Sequence, residues 1–271
     1  HGIPPACFVI AIFERLSYGY IPSYSRRMHR PGSFCITMNH PDTPFPGKQP
    51  LQAVVFDMDG VLCDSEEIIC EAAVSMFMQV HGVRVEPGDF VPFIGAGENR
   101  YLGGVAEKHG VHLRMPEDKE KTYAIYLELI KERLQPLPGV IDFVELCRSL
   151  GLKTAVATSA DRIKMDGNLS EIGLCPDAFN TLVTGDDITH PKPDPEIFLV
   201  AASGLGVEPS RCMVVEDSTH GVTAAHEAGC YVLGVEHTFS RKSLMDAGAD
   251  LVAPSLADAQ STNILKALAA S

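Results

Sequence analysis

The sequence predicts an α/β protein, a doubly wound parallel sheet with an α-helical domain inserted into it. Three observations support this prediction. Short apolar runs recur along the chain, helical patterns lie between them, and one interval of roughly 70 residues after the first run has helical spacing only. Strands buried on both faces of a parallel sheet are continuously apolar, and helices connect one strand to the next. The alternation therefore indicates a doubly wound sheet.

Five apolar runs are the predicted strands. Each is a short, mostly apolar run without charge, as expected of a strand covered by helices on both faces. The predicted strands are 53–56, 154–157, 181–183, 212–215 and 231–234. Three helices between or after them end at or close to a glycine, which suits the left-handed conformation common after a helix C-terminus. These helices are 141–150, 195–202 and 221–228, followed by Gly151, Gly204 and Gly229.

The interval between the first and second strands has only helical periodicity, over 68–80, 101–109 and 119–134. It is too long for a simple crossover, so we expect an inserted helical domain with hinges near 63–65 and 135–139. Asp64 and Glu67 have the spacing of a capping box at the start of its first helix. The predicted organisation is an extension with a linker at 1–50, a sheet domain at 51–64 and 136–256, a helical domain at 65–135 and a C-terminal tail at 257–271.

The first fifty residues differ in composition from the rest. They hold five basic residues against two acidic ones, whereas the whole chain has a net charge of −13. Residues 1–37 are rich in Ser, Tyr and Arg, with Glu14 as their single acid, which fits an organellar transit peptide. The alternative is a non-native extension upstream of a start at Met28 or Met38. Four prolines within 39–50 predict a linker.

Composition and charge exclude several classes of protein. With 45% hydrophobic and 21% charged residues, the chain is neither collagen-like nor disordered. The net charge of −13 argues against a nucleic-acid partner, because such partners are bound through basic surfaces. The longest early apolar run, 6–13, is shorter than the ~20 residues that span a bilayer, so no transmembrane helix is predicted. Eight cysteines without a C-x-x-C pair favour reduced thiols and a cytoplasmic location.

Acidic residues follow the first and fourth predicted strands. Asp57 and Asp59 come after the first, where alternate residues of an extended chain point to the same side, and Gly60 allows a sharp turn close to a ligand. Glu216 and Asp217 come after the fourth. Because the carboxyl ends of parallel strands share one edge of the sheet, these carboxylates would converge and repel one another unless a cation neutralised them. Ligation by oxygen alone favours Mg²⁺.

Groups that bind anions follow the second and third strands. Thr158 and Ser159 precede a helix start, where backbone amides hold anions, and Lys192 lies between two prolines. Any one of these features alone is weak evidence. Their occurrence in order at four successive strand ends, with the paired aspartates, predicts a site for a phosphoryl group.

These motifs resemble those of the haloacid dehalogenase-like superfamily, in the branch of β-phosphoglucomutase and phosphoglycolate phosphatase. The resemblance covers 51 to about 255 and is carried by 57–62, 158–159, 192–195 and 216–229. It implies that the helical insertion is a small cap domain that closes over the substrate. The segments 57–63, 90–93 and 102–106 are also similar to the dehalogenase-like domain of a plant thylakoid protein, which would make the basic N-terminal stretch a plastid transit peptide.

The resemblance also implies a two-step phosphoryl transfer through an aspartyl phosphate. Asp57 would be the nucleophile and Asp59 the general acid and base. Mg²⁺ would bind Asp57, the backbone carbonyl of Asp59 and Asp217, with Glu216 as a further or outer ligand. Thr158 and Lys192 would hold the transferring oxygens. The candidate substrate-binding residues are Gly60, Ser159, Gly97 and Arg100.

Two positions depart from the pattern of the mutase. Many relatives have a histidine twelve residues after the nucleophile, where this chain has Ile69. The mutase holds a second phosphate with an arginine in its cap loop, and Glu98 lies at about that place, with Arg100 as a nearby substitute. An acid there would repel a bisphosphate, so the departures favour hydrolysis over isomerisation.

The expected function is that of a Mg²⁺-dependent phosphatase acting on a small phosphorylated metabolite, either a sugar phosphate or a phosphoglycolate-like ester. The enzymatic alternative is an isomerase like β-phosphoglucomutase, and the non-enzymatic alternative is a regulatory domain of a plastid protein. The cytoplasm is the expected location, with the plastid as the alternative. The oligomeric state is left open, a monomer being plausible.

Overall fold

A computed structural model of the chain describes residues 50–94, 97–261 and 264–269. The predictions made for residues 1–49 lie outside the described residues. Within them the chain forms a six-stranded sheet in the order β3-β2-β1-β4-β5-β6, and every neighbouring pair of strands is parallel. The predicted doubly wound α/β fold is confirmed. The strands are β1 (Ala53–Phe56), β2 (Lys153–Ala157), β3 (Thr181–Val183), β4 (Cys212–Glu216), β5 (Tyr231–Val235) and β6 (Leu251–Ala253).

Five of these strands coincide with predicted apolar runs, whereas β6 was missed. It has three residues and lies at the edge of the sheet, beside β5. So short a run does not differ from the start of a helix by periodicity. The helices are α1 (Glu66–Met76), α2 (Glu98–His109), α3 (Glu117–Leu129), α4 (Val140–Ser149), α5 (Arg162–Glu171), α6 (Glu196–Leu205), α7 (Thr219–Glu227), α8 (Arg241–Asp246), α9 (Leu256–Ser261) and α10 (Ile264–Ala269).

Strand β1 lies in the middle of the sheet and is buried along its whole length. Its alternate side chains enter the hydrophobic layers on the two faces, as the pleat of a strand requires. Ala53 and Val55 pack in the same cluster as α6 and α7. Phe56 packs edge-on against Phe143 of α4, with 6.1 Å between the ring centroids. The covered centre of the sheet is what holds the end of β1 in place.

The interval between β1 and β2 is helical, and it contains α1, α2 and α3 before α4 begins. The predicted capping box at its start is wrong, because α1 begins at Glu66 after Ser65, and the Ser65 hydroxyl donates to Asp59 instead. The two connections to the sheet run side by side. The amide of Leu137 donates to the carbonyl of Leu62 at 3.0 Å, close to the predicted hinges.

The C-terminal segment, predicted as a tail at 257–271, contains α9 and α10. The amide of Ala257 donates to the carbonyl of Pro138, and the amide of Leu51 donates to the carbonyl of Leu268, each at 3.3 Å. Leu265 and Leu268 are buried. Apolar residues at helical spacing therefore attach this segment to the sheet domain. Among the described residues, no helix has both the length and the apolar character needed to cross a membrane.

Candidate active site

Three carboxylates lie together where the two central strands end. Asp57 directly follows β1, Glu216 is the last residue of β4, and Asp217 is the next. The two strands pair with Phe56 opposite Val215, and the amide of Asp57 donates to the carbonyl of Val215 at 3.0 Å. One oxygen of each of the three carboxylates lies within 4.8 Å of the others, and all three residues are buried. This carboxylate cluster is what the sequence predicts for the edge of the sheet.

Lys192 reaches the cluster from the loop that follows β3. Its Nζ lies 2.6 Å from Oδ1 of Asp57 and 2.6 Å from Oε1 of Glu216, and its side chain is 7% exposed. The ammonium also lies 5.0 Å from the centre of the Phe198 ring. Burial by itself lowers the pKa of Lys192, but Asp57 and Glu216 raise it above its ordinary value. Lys192 therefore stays charged and balances one of the three carboxylates.

The remaining negative charge is held at an energetic cost. Burial raises the pKa of Asp57 well above its ordinary value, although Lys192 opposes this. Burial, and then the charge of Glu216, raise the pKa of Asp217 to about 7. A divalent cation would remove this cost, because it supplies the positive charge that the side chains lack. The donors are all oxygens, which is the set that Mg²⁺ prefers.

Glu216 has both of its oxygens occupied. Oε1 accepts from Lys192, while Oε2 accepts from the amide and the hydroxyl of Ser218 at 2.8 and 2.9 Å. A Cβ on Gly221 would lie 1.7 Å from Oε1, so the helix after β4 approaches this carboxylate as closely as only glycine allows. Protein donors therefore engage both oxygens of Glu216, which was a predicted metal ligand.

Asp59 does not join the other three carboxylates. One of its oxygens accepts from the Ser65 hydroxyl, and the other lies 2.9 Å from Nζ of Lys164. The extended conformation ends at Met58, whose carbonyl accepts from the amide of Leu62 at 2.8 Å. The turn brings the carboxylate of Asp59 to Ser65 and to Lys164 of α5, outside the group of carboxylate oxygens within 4.8 Å of one another. The expected convergence of four carboxylates is realised by three.

The loop after β2 brings the other predicted anion-binding groups to the same edge of the sheet. Thr158 is buried and continues the ladder, since its amide donates to the carbonyl of Val183 at 3.0 Å, while its hydroxyl accepts from the amide of Ala160 at 3.1 Å. A Cβ on Gly97 would lie 3.7 Å from the carbonyl oxygen of Ser159. The start of α2 therefore lies against this loop, and Gly97 and Ser159 are neighbours.

Arg100 is placed away from these groups. Its guanidinium pairs with Glu107 at 3.2 Å, lies 5.0 Å from the centre of the Phe93 ring and is half exposed. Glu98 is the buried residue at this end of α2, with Oε1 at 3.5 Å from Nζ of Lys164. Ile69 is 2% exposed in α1, so its side chain has a packing role.

Two contacts of the site were missed from the sequence. The hydroxyl of Thr238 donates to Asp217, and Lys164 donates to Asp59. Thr238 follows β5, and its position after a strand end was a signal that could have been used. Lys164 lies on α5, where a single lysine has the pattern of a surface residue, so only the packing of α5 reveals its contact.

Gly60 allows the turn after β1 to pass close to Asp217. Its φ is +81°, and an added Cβ would lie 2.0 Å from Oδ2 of Asp217. We expect Gly60→Ala to lower the free energy of unfolding by about 2–4 kcal/mol, measured by urea denaturation. Gly82 is the matched control, because its φ is +65° and nothing lies within 4 Å of its added Cβ. Gly82→Ala should lose about 1 kcal/mol. Equal losses would mean that the contact with Asp217 is unimportant.

Comparison with known proteins agrees with this geometry. A family model described as "Haloacid dehalogenase-like hydrolase" matches residues 54–235. The chain is 43% identical over 218 residues to the Arabidopsis thaliana protein named SUPPRESSOR OF QUENCHING 1, chloroplastic. The alignment covers 79% of this chain and 21% of the Arabidopsis protein, so the chain spans about a fifth of that relative's length.

Two further relatives match over most of their own length. The "Phosphorylated carbohydrates phosphatase" of Thermotoga maritima is 33% identical over 217 residues, which cover 73% of this chain and 92% of that protein. The crystal structure of β-phosphoglucomutase from Clostridium difficile superposes with a TM-score of 0.68 at 23% identity, covering 80% of this chain and 97% of the other. This second likeness shows the fold alone. The resemblance inferred from the motifs is confirmed.

Proposed function

Because the chain belongs to the haloacid dehalogenase-like hydrolase family, we propose that it is a Mg²⁺-dependent phosphatase acting on a small phosphorylated metabolite. The observation that carries the proposal is the buried cluster of Asp57, Glu216 and Asp217 with Lys192 at 2.6 Å from Asp57. The cluster combines a nucleophile, oxygen donors for a cation and an ammonium for an anion at one strand end.

The residues fit a magnesium ion by the chemistry of their donors. Asp57, Asp217 and the backbone carbonyl of Asp59 would hold it, with Glu216 outside this set because Lys192 and Ser218 engage its oxygens. The bound ion would offset the repulsion between the anionic nucleophile and the anionic phosphate. The raised pKa of Asp217, about 7 because of burial and Glu216, supports a site that is built for a cation.

The reaction proceeds in two displacements at phosphorus. An oxygen of Asp57 bonds to phosphorus while the bond to the leaving oxygen breaks, and Asp59 gives that oxygen a proton. Asp59, now a carboxylate, takes a proton from water as the water attacks the aspartyl phosphate. Phosphate leaves and Asp57 is regenerated. Lys192 and the hydroxyl of Thr158 hold the transferring oxygens, with the amide of Ser159 beside them.

The helical segment 65–135 would act as the cap that keeps bulk water out during transfer. Gly97 supports this role, because it brings the start of α2 to within van der Waals reach of Ser159. The buried carboxylate of Glu98 at this contact disfavours a second phosphate, so it argues against the mutase alternative. We place the substrate among monophosphate esters of small metabolites, sugar phosphates or phosphoglycolate-like esters. The Thermotoga relative is named for phosphorylated carbohydrates.

The Arabidopsis relative favours a second candidate function, that of a regulatory domain within a longer plastid protein. Its name places it in the chloroplast, and this chain matches only 21% of its length. The same name, with the basic composition of residues 1–37, supports the plastid over the cytoplasm as the location of this chain. A regulatory domain without turnover would bind its partner and release no phosphate.

Removal of the metal tests the enzymatic proposal. With Mg²⁺ we expect phosphate release from p-nitrophenyl phosphate and from one or more esters in a panel of glucose 6-phosphate, glucose 1-phosphate and 2-phosphoglycolate. Excess EDTA should lower the rate by at least ~100-fold, and added Mg²⁺ should restore it. Full turnover in EDTA would contradict the metal dependence. If none of these esters released phosphate, the regulatory alternative would stand.

A further inference from the structure

Lys164 is a buried lysine that the reaction described above leaves without a role. It lies on α5, the helix that follows Thr158 and Ser159, and its side chain is 4% exposed. A buried ammonium is costly unless anionic partners compensate for the lost hydration. Its position beside the strand ends and its burial therefore require a specific set of partners.

The nearer partner is Asp59. Nζ of Lys164 lies 2.9 Å from Oδ2 of Asp59, and the hydroxyl of Ser65 donates to the other oxygen, Oδ1. Two donors from two helices, α5 and the start of α1, thus hold the two oxygens of one carboxyl group. Such a pair of contacts leaves the group little freedom to rotate, although its side chain is 28% exposed.

The second partner comes from the helical segment. Oε1 of Glu98 lies 3.5 Å from Nζ of Lys164, and the side chain of Glu98 is 8% exposed. The ring of Tyr126 on α3 lies 5.9 Å from the same ammonium, on the side of the helical segment. Lys164 therefore stands between Asp59 and the underside of α2 and α3.

We propose that Lys164 is a positioning residue that holds Asp59 in place for proton transfer to the leaving oxygen. This inference rests on the proposed function. Lys164 and Ser65 donate to the two oxygens of Asp59, so they hold this carboxyl group in one orientation, and loss of Lys164 would free it to rotate. Fixed placement of the acid favours the chemical step in which the proton is transferred, rather than binding alone.

The proposal predicts an effect that depends on the leaving group. A poor leaving group such as phenolate needs the proton, whereas p-nitrophenolate, a much weaker base, departs without it. Loss of Lys164 should therefore slow hydrolysis of phenyl phosphate far more than hydrolysis of p-nitrophenyl phosphate. A merely structural role would slow both alike, because the two esters have similar size and shape.

The experiment measures kcat and KM for both esters with Mg²⁺ in the full chain. For Lys164→Met we expect the ratio of the two kcat/KM values to shift by about 10-fold or more against phenyl phosphate. The ratio kcat/KM contains the first displacement, in which the leaving group departs, and not the hydrolysis of the aspartyl phosphate that both esters share. Lys164→Arg, which keeps the charge, should restore part of this ratio. Because both esters are assayed on one preparation, the fraction of folded protein cancels from the ratio.

Lys119→Met is the matched control. Nζ of Lys119 on α3 lies 2.5 Å from Asp161, so this pair also joins the helical segment to the sheet domain, and both side chains are 17% exposed. The control should leave the ratio unchanged. Equal slowing of both esters by Lys164→Met, or the same shift from Lys119→Met, would overturn the proposal. A different result would refute the proposed function. If Asp57→Asn hydrolysed p-nitrophenyl phosphate at the parental rate, the phosphatase mechanism would be wrong, whatever ratio of the two esters Lys164→Met gave.

Discussion

Asp57→Asn is expected to lower kcat for p-nitrophenyl phosphate by at least ~10⁴-fold, because the amide that replaces the carboxylate is not a nucleophile. The change keeps the shape of the side chain and removes one charge from the carboxylate cluster. Burial raises the pKa of Asp57 well above its ordinary value, so a neutral group suits this position. We therefore expect the variant to fold with unchanged or greater stability, measured by thermal denaturation without metal.

A matched control for this change is Asp166→Asn. Asp166 is exposed on α5 and pairs with Arg162 at 2.9 Å, one turn away and outside the cluster. Its replacement should leave kcat at the parental level. Parental turnover by Asp57→Asn would show that the nucleophile lies elsewhere and would refute the proposed function. If Asp57→Asn lost turnover because it did not fold, the thermal denaturation measurement would show this.

Lys192→Met is expected to lower the free energy of unfolding by about 3–5 kcal/mol in the absence of metal. The reason is that Asp57 and Glu216 each lose a partner at 2.6 Å while they stay buried. Activity should fall with it, because the ammonium beside the nucleophile is gone. Added Mg²⁺ should restore part of the stability, since a cation at the cluster replaces part of the missing charge. Urea denaturation with and without Mg²⁺ measures both effects.

The stability deficit of Lys192→Met should grow with pH. In the folded protein, burial raises the pKa of Asp57 well above the usual 3.8, and burial with Glu216 raises that of Asp217 to about 7. The folded state therefore holds protons that the unfolded state has released, so stability is greatest at low pH and is lost as the pH rises through these values. Without Lys192, no ammonium offsets the charge of the ionised carboxylates. The loss in free energy of unfolding, relative to the parental protein, should therefore be larger at pH 8 than at pH 5.

Lys131→Met is the control for that measurement, because Lys131 pairs with Glu128 on the surface, with both side chains more than half exposed. An exposed pair contributes at most about 1 kcal/mol and should show little pH dependence. A deficit for Lys192→Met that stayed constant between pH 5 and pH 8 would contradict the assignment of the cost to uncompensated carboxylates.

The sheet and the carboxylate cluster could be predicted because both follow from local sequence. A buried parallel strand must be apolar throughout, and the residues after it must lie at the edge of the sheet. Asp57, Glu216 and Asp217 were therefore located correctly once two strands were recognised. Strand β6 and the helices α9 and α10 were harder to predict from the sequence. Their apolar runs are short, and their secondary structure depends on the part of the protein against which they pack.

The side chains around Asp59 could not be predicted in the same way. The turn after Met58 ends the extended conformation, and this depends on hydrogen bonds made within the folded loop. Arg100 was a candidate because of the resemblance, yet its direction on α2 takes it to Glu107, while Glu98 is buried beside Lys164. A helix turns about 100° per residue, so positions two apart lie on different faces.

By itself, the sequence determined five of the six strands along the chain, the helical insertion after the first strand and the chemical groups at four strand ends. These are properties of apolar periodicity and of residues directly joined to the strands. The tertiary structure decided which of those groups touch. Contacts such as Lys192 with Asp57, or Lys164 with Asp59 and Glu98, join residues from separate elements of the chain. Only packing fixes those distances. The apolar layers determine where each charged side chain is buried, and a buried charged group must then form hydrogen bonds with the groups that lie beside it.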